Sequence, residues 1–363
     1  MEFESLDAPG GKELATENQD RECDMDSAQS RGLADPKFTR SERVRFPEFE
    51  IRLPFEANLF QDRVAPVRNR LADLGVHLEE ATGACVVRVA SLMHPRIGRN
   101  DLQLVADIFG FFFACDDRFD GPLGWDKAAT AETVEVSKQV FAGYVPDQAS
   151  DPFNYALMHL WEQIRQRASA ELWERIVTHT LGWLDHYRWE TGLRVDRRVA
   201  TVTEQRRERF WASEMSFDWE YIELTDAAFL PRRFIRHPTI QQTLTDCTLI
   251  VAWWNDICSL ARENPYSNVV YAIQQDRSCG LQDAIDSAYR LVLDLCDNVL
   301  AQQARLPALL GELQLDPRET ARATAWWDSL LLSTGGALRW HVEPETRRYC
   351  QDRRQDLPTL VSP

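Results

Sequence analysis

Apolar residues recur every three to four positions through most of this chain. Leu102, Val105, Ile108, Phe109, Phe112 and Phe113 form one such stripe, Leu172, Ile176, Leu181 and Leu184 a second, and Ile285, Ala288, Val292, Leu295 and Val299 a third. A side chain returns to the same face of an α-helix after about 3.6 residues, so these stripes predict amphipathic helices. The alternation that marks a half-buried strand is nearly absent. Breaks are expected at the Gly-Pro-Leu-Gly of 121–124, at Pro231, at Asn264-Pro265 and at Gly335-Gly336. The segments between them predict roughly ten to twelve helices. The expected fold class is all-α, without an internal repeat.

The pattern begins only near Phe46. Residues 1–43 are rich in Asp, Glu, Ser and Gly and poor in aliphatics, too little apolar surface to offset the entropy of ordering, and are expected to form a disordered acidic tail. Residues 44–363 show no second shift in composition and are read as one domain. A formal net charge of −16 repels phosphate backbones and anionic headgroups, which argues against nucleic acid and membrane partners. An anionic substrate stays compatible where metal ions or arginines reverse the field locally. The chain begins without an apolar leader and has no run of about 18 apolar residues, so a cytoplasmic location is expected. Eight cysteines stand singly with no C-x-x-C pair and are read as reduced thiols. No H-E-x-x-H, G-x-S-x-G or phosphate-binding P-loop occurs, which disfavours zinc hydrolases, serine hydrolases and kinases. His179 and His186 are read as packing residues.

Three carboxylates, Asp116, Asp117 and Asp120, follow directly on the stripe that contains Phe112 and Phe113. At about 100° per residue they occupy one arc of the helix surface, and continuing the helix is expected to aim them into the interior. There they cannot all stay ionised without cations. Clustered hard oxygens are what Mg²⁺ takes when it shares a substrate diphosphate. The alternative is a solvated acidic turn, but negative charge at a helix C-terminus opposes the macrodipole. Asn255, Ser259 and Glu263 follow the apolar run Leu249–Trp254 at a four-residue pitch. On a continuing helix they form a ladder of amide, hydroxyl and carboxylate, suited to a second Mg²⁺ site that the diphosphate completes.

Together, D-D-x-x-D from Asp116 and N-D-x-x-S-x-x-x-E from Asn255 resemble the paired metal-binding motifs of class I terpene synthases of the bacterial type. The Arg348-Tyr349 pair after Trp340 is similar to that family's terminal arginine-tyrosine pair. The resemblance implies an antiparallel helical bundle enclosing an apolar cavity, and a magnesium-dependent lyase that ionises an isoprenoid diphosphate and cyclises the carbocation. It implies up to three Mg²⁺ ions held by Asp116, Asp120, Asn255, Ser259 and Glu263, with Asp117 among the catalytic residues. Arg209, Asn255, Arg262, Arg348 and Tyr349 are the implied diphosphate ligands. Arg209 is the family's sensor arginine by counting back from Asn255, with Arg206 and Arg207 as alternatives in another register, and a helix break is implied near Ala212-Ser213. Cavity candidates, chosen for nearness to these motifs, are Phe109, Phe112, Phe113, Phe210, Ser213, Val251, Ala252 and Trp340. A homodimer is common in the family.

The bulky Phe111-Phe112-Phe113 run is expected to shorten the cavity and favour farnesyl over geranylgeranyl diphosphate. A trans-prenyl diphosphate synthase or a squalene-type condensing enzyme would want a second aspartate-rich motif where this chain has Asn, Ser and Glu. A non-catalytic helical interaction protein would leave both motifs as surface patches.

Overall fold

The computed structural model of the chain describes residues 36–38, 40–212, 215–225, 229–262, 264–343 and 354–360. Strand β1 (Arg40–Arg45) precedes helices α1 (Val67–Asp73), α2 (Glu80–Met93) and α3 (Arg99–Asp120). The apolar stripe of α3 runs unbroken until Gly121-Pro122 ends it. Then come α4 (Lys127–Phe141), α5 (Pro152–Arg165) and α6 (Ala170–Val195), whose first amides are capped by Asp126, Asp151 and Ser169. α7 (Val202–Ala212), α8 (Met215–Thr225), the short α9 (Arg232–Ile235) and α10 (Pro238–Cys258) follow. The order closes with α11 (Val269–Arg277), α12 (Leu281–Glu312), α13 (Pro317–His341) and strand β2 (Arg354–Thr359).

These helices form one antiparallel bundle. α10 is apolar on every side from Leu249 to Trp254, and it packs against α7, α8, α12 and α13 accordingly. α3 lies against α1, α2 and α5, and α6 against α4, α7 and α8. Between α3, α5, α6 and α8 sits an aromatic core in which the Phe112 ring meets Trp161, Trp183 and Phe217 at 5.8, 5.0 and 4.6 Å. No described helix is long and apolar enough to cross a membrane.

Two expectations are corrected. Gly335-Gly336 does not break a helix: α13 runs through it, and a Cβ at Gly335 would collide with the Pro54 carbonyl, one at Gly336 with the Leu92 carbonyl. Glycine is used here so that backbones can touch, which outweighs its low helix propensity. The tail boundary at residue 43 also moves. Residues 1–35 lie outside the described residues, but Arg40–Arg45 pairs antiparallel with Arg354–Thr359. Glu42 further accepts the Leu281 and Gln282 amides at 3.0 and 3.1 Å, capping α12. Composition undervalued this segment because its partners lie more than 230 positions away.

Candidate active site

The last turn of α3 carries the first motif at the rim of the bundle. Asp116 is half-buried, and Asp117 and Asp120 are exposed. The expectation that all three point inward is thus corrected: only Asp116 leaves water in part, because ionised carboxylates keep their hydration unless something replaces it. Tyr187 of α6 donates its hydroxyl to Asp116 Oδ1 at 2.7 Å, its ring stacked on Phe119 at 3.9 Å. Arg194, two turns further along the same face of α6, donates to Asp120 Oδ1 at 2.6 Å and to the Phe119 carbonyl at 2.8 Å. It thereby offsets the charge placed against the helix dipole. A side chain at Gly124 would occupy the space through which that guanidinium passes.

The second motif straddles the end of α10. Asn255 is half-buried within the helix, Ser259 is its C-terminal cap, and Ser259 donates both its amide and its Oγ hydroxyl to the Asn255 carbonyl, at 2.8 and 2.6 Å. The expected continuous ladder is therefore corrected to a helix end followed by a turn, with the Arg262 amide on the Ser259 carbonyl at 2.7 Å. Asn264 caps the short turn at Pro265–Ser267, and Pro265 excludes the helical conformation just before it. Arg262 is exposed. Glu263 lies outside the described residues, as do Ser213, Arg348 and Tyr349.

Between the motifs stands Arg209. It is buried and ion-paired with Asp256, the neighbour of Asn255. Asp256 also accepts the Val269 amide at 2.8 Å, and its carbonyl takes Asn268 Nδ2 at 2.7 Å. Burial pushes the Asp256 carboxyl up, and Arg209 and the Val269 amide pull it back. Arg206 instead lies over the Trp253 ring, 5.8 Å from its centroid, and Arg207 pairs with its neighbour Glu208, so Arg209 alone of the three faces the motif. The expected helix break near Ala212-Ser213 falls where residues 213 and 214 lie outside the described residues.

Glu190 of α6 stands beside the same arginine that reaches Asp120. It lies 3.4 Å from Arg194 and 3.3 Å from His186. Burial works against its charge, but His186, Arg194 and Arg209 together hold it below the usual carboxylate range. Asp120, Arg194 and Glu190 thus form one chain of charged contacts at the tip of α3, and Arg209 pairs separately with Asp256 at the tip of α10. Tyr187, Glu190 and Arg194 sit at i, i+3 and i+7, a helical spacing visible in the sequence that the motif-based reading passed over.

Of the cavity candidates, Phe112 is enclosed by rings and fills the core instead of facing open space. Phe109 is buried beside Phe112 and His94. Phe113 is half-buried and edge-on to Trp340 at 5.9 Å, and Phe210 is half-buried against Trp211 at 5.1 Å. Val251 and Ala252 are buried on α10. One further residue enters unannounced: His341, at the end of α13, lies 3.1 Å from Asn255 Nδ2. Burial pushes its imidazole down to about 4, so the ring is neutral near pH 7.

The donors at hand, two carboxylates at the end of α3 with an amide and a hydroxyl at the end of α10, are hard oxygens that fit Mg²⁺. Among the described residues no three His, Cys, Asp or Glu side chains gather into a ready cage, so the donor set is divided between the two helix ends.

An all-α bundle with divided oxygen-donor motifs is the architecture of class I terpene synthases. The structure superposes on the crystal structure of germacradien-4-ol synthase from Streptomyces citricolor with a TM-score of 0.70, at 25% identity, over 81% of this chain and 98% of that one. Residues 107–298 match terpene synthase family 2, C-terminal metal binding, and the chain belongs to that family. Among its relatives is a (+)-eremophilene synthase from Sorangium cellulosum, 26% identical over 76% of this chain and 83% of the relative. A (+)-T-muurolol synthase from Roseiflexus castenholzii is 28% identical over 56% of this chain, a match spanning 64% of that relative's length.

Proposed function

We propose that this protein is a Mg²⁺-dependent terpene cyclase that ionises farnesyl diphosphate, with geranylgeranyl diphosphate as the longer alternative, releases diphosphate and closes the carbocation to a terpene hydrocarbon or alcohol. The observation that supports this reading is that an arginine pairs with a carboxylate in each motif, Arg194 with Asp120 on α3 and Arg209 with Asp256 beside Asn255 on α10. Each pair sets a buried arginine beside one of the two oxygen-donor motifs. In this reading Asp116, Asp120, Asn255, Ser259 and Glu263 hold up to three ions, which when bound supply Lewis-acid stabilisation of the leaving charge.

Arg209, Arg262, Arg348 and Tyr349 donate hydrogen bonds to the diphosphate, and arginine suits that task because its donors form a rigid fork. Asp117 adds negative charge to the same rim. The protein's remaining work is to keep water from the allylic cation and to fold its chain. Ring faces at Phe109, Phe113, Phe210 and Trp340 suit both, each worth roughly 0.5–2 kcal/mol to a desolvated cation. The substrate choice draws support from relatives: the T-muurolol synthase, and a 7-epi-alpha-eudesmol synthase from Streptomyces viridochromogenes, are named as cyclising (2E,6E)-farnesyl diphosphate.

The test is incubation with geranyl, farnesyl and geranylgeranyl diphosphates, with Mg²⁺ or with EDTA, followed by gas chromatography and mass spectrometry of the organic phase. A terpene formed only with Mg²⁺ and lost in Asp116→Ala and Asn255→Ala is the expected result. No product from any of the three would overturn the reading.

A further inference from the structure

Asn255 and His341 are 86 positions apart in sequence, on α10 and α13, yet Asn255 Nδ2 lies 3.1 Å from His341 Nε2. The other ring nitrogen, Nδ1, is 2.7 Å from the Ala337 carbonyl one turn back along α13. A carbonyl oxygen only accepts, so Nδ1 carries a ring proton, and Nε2, facing an amide nitrogen that only donates, is the acceptor. The amide of Asn255 must then present its NH₂ to the ring. Turning it over would set Oδ1 against the Nε2 lone pair.

The histidine is itself held firmly. The end of α13 is bound to α2 by the backbone approach at Gly336, by Trp340 Nε1 on the Cys85 carbonyl at 3.2 Å, and by Arg88 on Glu343 at 2.6 Å. Arg339 adds a 3.1 Å bond to the same Glu343 carboxylate. His341 is buried within this joint.

We propose that His341 is a positioning residue that fixes which end of the Asn255 amide faces the cation, holding the nitrogen toward α13 and the oxygen toward the metal. The proposal rests on the reading of Asn255 as a metal ligand. An asparagine amide has two ends of nearly equal shape, and only the oxygen can ligate a hard cation. A partner that accepts from the nitrogen removes the wrong orientation before the metal arrives. Partners of this kind orient ligands in other metal sites, and losing them typically weakens metal affinity about 10–100-fold.

The experiment follows binding without turnover: Mg²⁺ titrations in the presence of inorganic diphosphate, read by thermal shift and by calorimetry, on purified full-length protein. His341→Gln places an amide oxygen near the Nε2 position, and His341→Leu keeps a similar volume without an acceptor. The melting temperature without metal or diphosphate shows whether each variant folds. The Mg²⁺ midpoint is expected to rise at least about tenfold in His341→Leu and to stay within about threefold of wild type in His341→Gln.

A second background separates orientation from packing. In Asn255→Asp the carboxylate has no wrong end, so adding His341→Leu there is expected to leave the midpoint nearly unchanged. An unchanged midpoint in the single leucine variant, a glutamine variant as weak as leucine, or an equal loss in the aspartate background would each overturn the proposal. If wild type itself shows no Mg²⁺-dependent shift with diphosphate, the reading of Asn255 as a ligand fails, and the proposal with it.

Discussion

Tyr187 donates a hydrogen bond to Asp116 of the first motif, and its ring stacks on Phe119 and meets Trp183 edge-on. Tyr187→Phe probes that bond, because the ring contacts survive and the hydroxyl is lost. If Asp116 ligates the metal, its carboxylate loses one orienting hydrogen bond, and the apparent Mg²⁺ requirement for turnover is expected to rise about tenfold with little change in melting temperature. An unchanged requirement in a Mg²⁺ titration of initial rates would remove Tyr187 from the site. Neither the tyrosine nor Arg194 stands within a recognised motif. Their relevance comes from lying on the face of α6 that happens to pass the tip of α3, which no reading of either segment alone discloses.

At the scale of elements, the stripes on α3, α6 and α12 and the breaks at 121–124, Pro231 and Asn264-Pro265 follow from spacing and backbone chemistry, and the structure contains them. Where the sequence misled, the cause is a distant contact: the glycines of α13 answer to Pro54 and Leu92, and β1 is ordered by β2 and by the helix it caps. Residues 344–353, with Arg348 and Tyr349, lie in sequence between α13 and β2, so β1 is expected to matter to the site. Deleting residues 1–35 should leave turnover intact, whereas deleting through Arg45 removes the partner of β2 and the cap of α12 and should lower both kcat and the melting temperature. Equal activity of the two truncations, measured with the same substrate, would show that the strand pair has no bearing on the site.

At the scale of the whole molecule, stability carries a titration remote from the motifs. Arg175 of α6 is paired with Glu220 and Glu223 of α8, with His179 3.5 Å from Glu220. Burial lifts the Glu220 carboxyl to about 7, with Glu223 adding to the rise and Arg175 opposing it, while burial and Arg175 push His179 down to about 4. The folded protein therefore holds a proton on Glu220 that the unfolded chain has given up above its ordinary value. This contribution to stability is full below about pH 4.5 and is lost as pH rises through about 7. Between pH 5 and pH 8 the melting temperature of wild type is expected to fall a few degrees further than that of Glu220→Gln, by calorimetry at constant ionic strength. Parallel curves would mean that Arg175 keeps Glu220 ionised throughout.

The expected shortening of the cavity also changes at this scale, because Phe111 and Phe112 turn into the aromatic core with Trp161, and of the three only Phe113 is half-buried. The preference for farnesyl diphosphate thus leans on relatives more than on that run. By itself the sequence determined the helical class, most breaks and the two oxygen-donor motifs, since each depends on residues within a few turns of one another. The tertiary structure decided which arginine meets the second motif, which end of Asn255 is held by His341, and how Arg194 of α6 reaches Asp120 at the tip of α3. Those contacts join residues such as Arg209 and Asp256, or Asn255 and His341, 47 and 86 positions apart, and only the packing of helices brings such residues within hydrogen-bonding distance.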